Sequence, residues 1–166
     1  MTIFARLVGA SAWGLLLAGT ASAQEPAVPQ GLKLDRIVLL MRHGVRPPTK
    51  SPPMPEGTAN QPWPNWPVAP GYLTPHGRTG VERLGSYDRR VWTAAGLLPR
   101  SGCAQLRIVA DSDERTIRTA EAYAAALAPG CTVAIDHKPQ DVADPIFSPI
   151  DERAVAFDAA KARARR

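Results

Sequence analysis

Residues 34–41 read L-D-R-I-V-L-L-M and run without a spacer into R-H-G-V-R-P-P-T. The five apolar residues 37–41 include β-branched members and are bounded by turn formers. A run this short predicts a buried strand rather than a helix. Gly44, Pro47 and Pro48 stop the strand and turn the chain outward. A charged turn just past a strand's carboxyl end is where open α/β sheets usually bind ligands.

The same grammar repeats along the chain. Residues 47–73 are rich in proline and carry Trp63 and Trp66, which predicts one long irregular loop. Thr74-Pro75 reads as an N-cap followed by proline at the first helical position. The helix should run to about Ala95, with Val81, Leu84, Val91, Trp92 and Ala95 on one face and Gly96 closing it. A second strand is expected over 106–110. Asp111-Ser112-Asp113 then leads into a helix from Glu114 to Leu127, whose buried stripe is Ile117, Ala120, Tyr123, Ala124 and Leu127. Pro129-Gly130 ends it. A third strand is expected over 132–135, and a last helix from Asp151 to the end. Strand alternating with helix is the pattern of a parallel α/β sheet. Three strands with an open edge are marginal on their own and invite aggregation.

The first 23 residues read as an export signal. Arg6 is their single charge, an apolar stretch follows over 7–19, and Ala21-Ser22-Ala23 is a small-x-small cleavage pattern. The other reading is a membrane anchor, but the apolar stretch is shorter than the ~20 residues a span requires. A periplasmic or secreted chain of residues 24–166 is therefore expected, with no membrane association after cleavage. In an oxidising compartment Cys103 and Cys131 would form a disulfide worth about 3 kcal/mol. The alternative is two free, buried thiols. The net charge is +5, of which residues 161–166 supply +4 and Arg6 the rest. The body of the chain is thus near neutral, and with export this argues against a nucleic-acid partner.

The chemistry concentrates at residues 42–50. A neutral imidazole nitrogen is a competent nucleophile for phosphorus, which nominates His43. Arg42 and Arg46 carry permanent charge in a shape that matches phosphate oxygens. Gly44 lets the backbone turn sharply and a substrate approach. Acidic residues are absent from 37 to 55, so local ion pairs do not explain the arginines. A second segment, 111–116, opens a helix whose first N–H groups favour phosphate. Arg115 could reach the same anion from there. The bland alternative is that Asp111, Asp113 and Glu114 cap the helix and Arg115 is solvated.

These residues resemble the histidine acid phosphatase family, the larger branch of the histidine phosphatases. Its R-H-G-x-R-x-P signature is matched by Arg42 to Pro48, whereas phosphoglycerate-mutase-like relatives lack the Arg-Pro continuation. W-P-x-W-P at Trp63 to Pro67, L-T-P-x-G at Leu73 to Gly77, D-E-R-T at Asp113 to Thr116, D-P-x-F-x-P at Asp144 to Pro149 and the two cysteine positions look like the bacterial periplasmic phytase branch. The likeness covers about residues 32–150. It implies a phosphoglycerate-mutase-like α/β fold, an open sheet with flanking helices. It also implies hydrolysis of phosphomonoesters, phytate and sugar phosphates included, through a phosphohistidine at His43. Arg42, Arg46 and Arg115 would bind the phosphate, and Thr49 and Lys50 would line the pocket. No metal or organic cofactor is implied.

The chain also departs from that family. Full-length members are longer, and their second half carries a His-Asp motif that completes the pocket and supplies the acid for the leaving alcohol. Asp136-His137 has the reverse order and does not take that role, and His76 reads as surface. The helical lid domain is mostly missing. The expectation is therefore an incomplete domain whose partner is a missing C-terminal half, with impaired turnover by itself. Two other readings stay open: a non-catalytic phosphate-binding module, and a basic tail that binds membrane surface.

Overall fold

The computed structural model describes residues 31–50, 55, 57, 58, 60–62 and 64–164. The segment read as an export signal, Trp63 and the last two arginines lie outside the described residues. Everything below concerns the second of two compact units, Leu34–Arg166. Its elements are α1 (Pro75–Ala94), β1 (Ile108–Val109), α2 (Glu114–Leu127), β2 (Ile135–Asp136) and α3 (Ala159–Arg163).

Helix α1 begins as its sequence predicts. Thr74 is extended, with φ −76° and ψ 156°, and its Oγ1 accepts from Gly77 N at 2.9 Å. That bond satisfies one of the donors orphaned at a helix start. The helix ends one residue before the expected position. Gly96, at φ +78°, donates to Thr93 O, and Leu97 N donates to Trp92 O. Helix α2 has the predicted bounds, and all five residues of its predicted stripe are buried.

The face of α1 differs from the prediction. Gly77, Val81 and Gly85 are its buried positions, while Leu84 is 42% exposed. The reason is close approach. A Cβ on Gly85 would lie 2.8 Å from Tyr123 O and 3.0 Å from Ala126 Cβ. Glycine at 85 lets the backbone of α1 touch α2, and the buried positions 77, 81 and 85, spaced by four, form the contact stripe instead of Leu84. The core is Val81, Leu98, Ala122, Tyr123 and Leu127, with Met41, Trp92, Ala104 and Leu106 packed against it. Two polar bonds tie the helices: Tyr123 Oη donates to Asp88 Oδ2 at 2.6 Å, and an Arg89 N–H donates to Leu127 O at 3.0 Å. The second satisfies a carbonyl at the end of α2.

The sheet among the described residues has two strands. β1 and β2 pair in parallel, Ile108 opposite Ile135 and Val109 opposite Asp136, so both expected strands are shorter than read. The expected first strand, 34–41, is not formed: the segment has no regular secondary structure and no ladder. Ile37 and Leu39 are 39% and 47% exposed, while Val38 and Leu40 are 91% and 90% exposed. That alternation is the side-chain period of a strand. What is missing is a partner: none of the described residues supplies this segment with backbone bonds.

The expected helix from Asp151 to the end is also corrected. Arg153 adopts φ +54°, Ala154 N turns back to Pro149 O at 2.8 Å, and only α3 is helical. No residue of α3 is buried, so nothing holds a longer helix. The sulfur atoms of Cys103 and Cys131 are at bonding distance, 2.04 Å, with the Cα atoms 5.7 Å apart.

Candidate active site

The two chemistry-bearing segments meet. Gly44 N donates to Thr119 Oγ1 at 3.0 Å, and Thr119 Oγ1 donates to Arg115 O at 2.6 Å. One buried hydroxyl thus fastens the 42–50 turn onto the first turns of α2. From the other side Val45 O accepts from both Thr74 N, at 2.9 Å, and Thr74 Oγ1, at 2.8 Å. Glu114 Oε2 accepts from Leu73 N at 2.9 Å, joining the start of α2 to the residue before the α1 cap.

Glycine at 44 and 77 is a packing requirement. A Cβ on Gly44 would lie 2.8 Å from Leu73 Cδ1 and 2.9 Å from Gly77 O. A Cβ on Gly77 would lie 2.4 Å from Val45 O. The turn lies directly on the start of α1, so the reason for Gly44 is contact with that helix rather than a sharp φ.

His43 is half-buried, and its Nδ1 is 2.8 Å from Gly44 O. A carbonyl can only accept, so this bond requires the proton on Nδ1 and leaves the Nε2 lone pair free. Arg46 donates to Pro47 O at 2.8 Å, and its Nε is buried without a partner. Arg115 is held by the Asp113 carboxylate, and its Nε is likewise buried without a partner. Asp113 occupies the N-cap of α2 but makes no side-chain cap bond. Its carboxylate orients Arg115 instead, contrary to the bland reading of this segment. Buried unpartnered donors cost about 1–3 kcal/mol each. Arg46 and Arg115 each carry one.

The remaining predicted residues divide. Arg42 is exposed and borders the same groove as His43, Asp111 and Thr116. Thr49 lies against Gly71, whose Cβ would be 3.1 Å from Thr49 Cγ2 and 3.9 Å from an Arg115 terminal nitrogen. Thr49 is therefore near Arg115. Lys50 is exposed at the edge of the undescribed stretch 51–54. His76 is exposed, and His137 is exposed with its Nδ1 near Lys138 O. Among the described residues no three His, Cys, Asp or Glu side chains gather as a metal-binding group.

The profile of the histidine phosphatase superfamily (branch 2) matches residues 33–164. The chain belongs to that family. Phytase AppA of Escherichia coli K12 is 42% identical over 132 residues, which is 76% of this chain and 30% of that protein. A glucose-1-phosphatase of Salmonella typhimurium is 31% identical over 150 residues, 87% of this chain and 36% of that protein. The apo phytase of Hafnia alvei superposes with a TM-score of 0.74 at 38% identity, covering 83% of this chain and 35% of that one. The same phytase in complex with myo-inositol hexakis sulphate gives the same score. This histidine phosphatase chain thus spans about a third of the length of the relatives it matches, and its mixed helix-and-sheet fold is theirs over that span.

Sequence reasoning missed Thr119, Thr74 and Glu114 as the residues that assemble the site. Thr119 offered one signal: a hydroxyl beside Ile117 and Ala120 in an otherwise apolar stripe. A buried hydroxyl needs a partner from another segment.

Proposed function

We propose that this chain provides the nucleophile and phosphate cradle of an exported phosphomonoester hydrolase. Its substrates are of the phytate or sugar-phosphate class, as the names of its relatives suggest. The observation that carries the reading is the 2.8 Å approach of His43 Nδ1 to Gly44 O, which puts the proton on Nδ1 and leaves Nε2 open. Nε2 attacks phosphorus, the P–N bond forms, and the P–O bond to the alcohol breaks. Water then cleaves the phosphohistidine and releases inorganic phosphate. Arg42, Arg46 and Arg115 neutralise the equatorial oxygens, and the unpartnered Nε groups of the last two supply donors already desolvated. Thr49 and Lys50 border the substrate beyond the phosphate.

The departing alkoxide needs a proton, and general acids contribute ~10²- to 10⁴-fold. Asp111 shares the groove with His43, but its Oδ1 already accepts from Ser112 N at 2.8 Å. We therefore assign the first half-reaction to this chain with activated esters and weak turnover with alkyl phosphates. The export signal and the Cys103–Cys131 cross-link belong to the same proposal. Among the described residues no helix is long and apolar enough to cross a membrane.

The test uses p-nitrophenyl phosphate, whose phenolate leaves without a proton. The expected result is a burst of phenolate and a chain heavier by one phosphoryl group, both lost in His43→Ala. Phosphate binding without any burst would instead make the chain a binding module.

A further inference from the structure

Asp113 sits where one bond is expected and makes another. It is the N-cap of α2, extended at φ −67° and ψ 142°, and an aspartate there ordinarily accepts from N–H groups of the first turn. Its side chain makes no cap bond. Its backbone is nevertheless fixed. The Asp113 carbonyl accepts from Thr116 N at 3.0 Å and Ile117 N at 3.1 Å. The Thr116 hydroxyl lies 2.6 Å from the same carbonyl and 2.7 Å from Asp111 O. From that fixed base the carboxylate turns to Arg115 Nη2. The rest of this guanidinium is confined: Nε is buried, and a Cβ on Gly71 would lie 3.9 Å from Nη1. Among the described residues no other carboxylate pairs with Arg42, Arg46 or Arg115.

We infer that Asp113 is a positioning residue, which gives up the cap of α2 to hold the Arg115 guanidinium in place for phosphate. The inference rests on the proposed reading of this turn as a phosphate cradle and names the part Asp113 plays in it. The main chain of Arg115 is already tied to the nucleophile turn, because its carbonyl accepts from Thr119 Oγ1, which accepts from Gly44 N. What Asp113 adds is control of the side chain alone. Two effects of opposite sign then compete. A carboxylate beside an anion site repels the anion, so charge by itself predicts tighter phosphate once Asp113 is removed. A long side chain freed of its tether must be ordered again when the anion binds, which costs about three- to tenfold in affinity. Ordering outweighs repulsion here. The Arg115 and Asp113 side chains are 21% and 35% exposed, so water screens the field of the carboxylate, whereas direct contact fixes the torsions of the arginine. Stability and affinity therefore pull apart at this residue. Asp113→Ser supplies a good cap former that is too short to hold Arg115.

Calorimetric titration with inorganic phosphate, beside thermal melts, tests this on the full chain with Asp113→Ser, Arg115→Ala and the double variant. Asp113→Ser should weaken phosphate about three- to tenfold while Tm holds or rises by a few degrees. In the Arg115→Ala background the same substitution should leave phosphate unchanged or tighten it, since only repulsion is left to remove. Asp113→Asn, which keeps the size and a neutral acceptor, should recover part of the affinity that Asp113→Ser loses. Tighter phosphate in Asp113→Ser by itself would make the carboxylate a source of repulsion only and overturn the inference. Equal weakening with and without Arg115, or a Tm that falls together with affinity, would make the role structural and overturn it too. Phosphate binding without a phenolate burst would remove hydrolysis and leave the role of Asp113 standing. An unsubstituted chain that binds no phosphate would overturn the cradle and this inference together.

Discussion

Helix α1 contains an internal control for how closely it approaches α2. Gly80 and Gly85 both lie in its interior, and neither has a positive φ. Replacing either by alanine gains about 1 kcal/mol of helix propensity. A Cβ on Gly80 meets nothing within 4 Å, so Gly80→Ala should show that gain in full. A Cβ on Gly85 meets Tyr123 O at 2.8 Å, Ala126 Cβ at 3.0 Å and Leu127 N at 3.3 Å. Two of those atoms are main chain and cannot rotate aside, so the helices must separate by roughly half an ångström. Overpacking of this kind costs about 1–3 kcal/mol. Separation also lengthens the 2.6 Å bond from Tyr123 to Asp88. Gly85→Ala should therefore be neutral to about 2 kcal/mol destabilising. The two variants should differ by about 1–3 kcal/mol, or several degrees in Tm for a domain of this size. Urea melts followed by far-ultraviolet circular dichroism measure the difference. Equal gains at both positions would mean that α1 and α2 do not touch at Gly85, and the account of the core would fail.

Thr119→Val keeps the side-chain shape and removes the acceptor for Gly44 N, so it should cost about 1–3 kcal/mol and slow the phenolate burst, while Thr119→Ser retains both. Replacing Cys103 and Cys131 together by serine should cost about 3 kcal/mol, since the cross-link spans 28 residues; urea midpoints that ignore reductant would contradict the bond. Burial, and then the hydrogen bond to Asp88, push the Tyr123 phenol well above its ordinary range. The folded chain then holds a proton that the unfolded chain loses above about pH 10. Stability is unaffected below that pH and should fall above it by about 1.4 kcal/mol per pH unit. Tyr123→Phe should remove that extra slope, and an unchanged slope would place its cause elsewhere.

The elements legible in the sequence are those whose signals are local. The bounds of α2 follow from Asp113 before it and Pro129-Gly130 after it, and its stripe follows from spacing alone. The stripe of α1 was misread because glycine carries no hydrophobic signal, yet Gly77 and Gly85 decide which face comes closest. The site divides in the same way. His43 and its arginines announce themselves as a motif, but the proton on Nδ1 depends on where Gly44 O points, and the anchor at Thr119 lies 75 residues from Gly44. Residues 37–40 show where local information ends. Their exposures alternate with the period of a strand although no ladder holds them. The apolar, β-branched sequence thus carries the side-chain period of a strand, while pairing and burial need a partner from outside the segment. The predicted buried strand is not formed here, and residues 37–40 stay exposed.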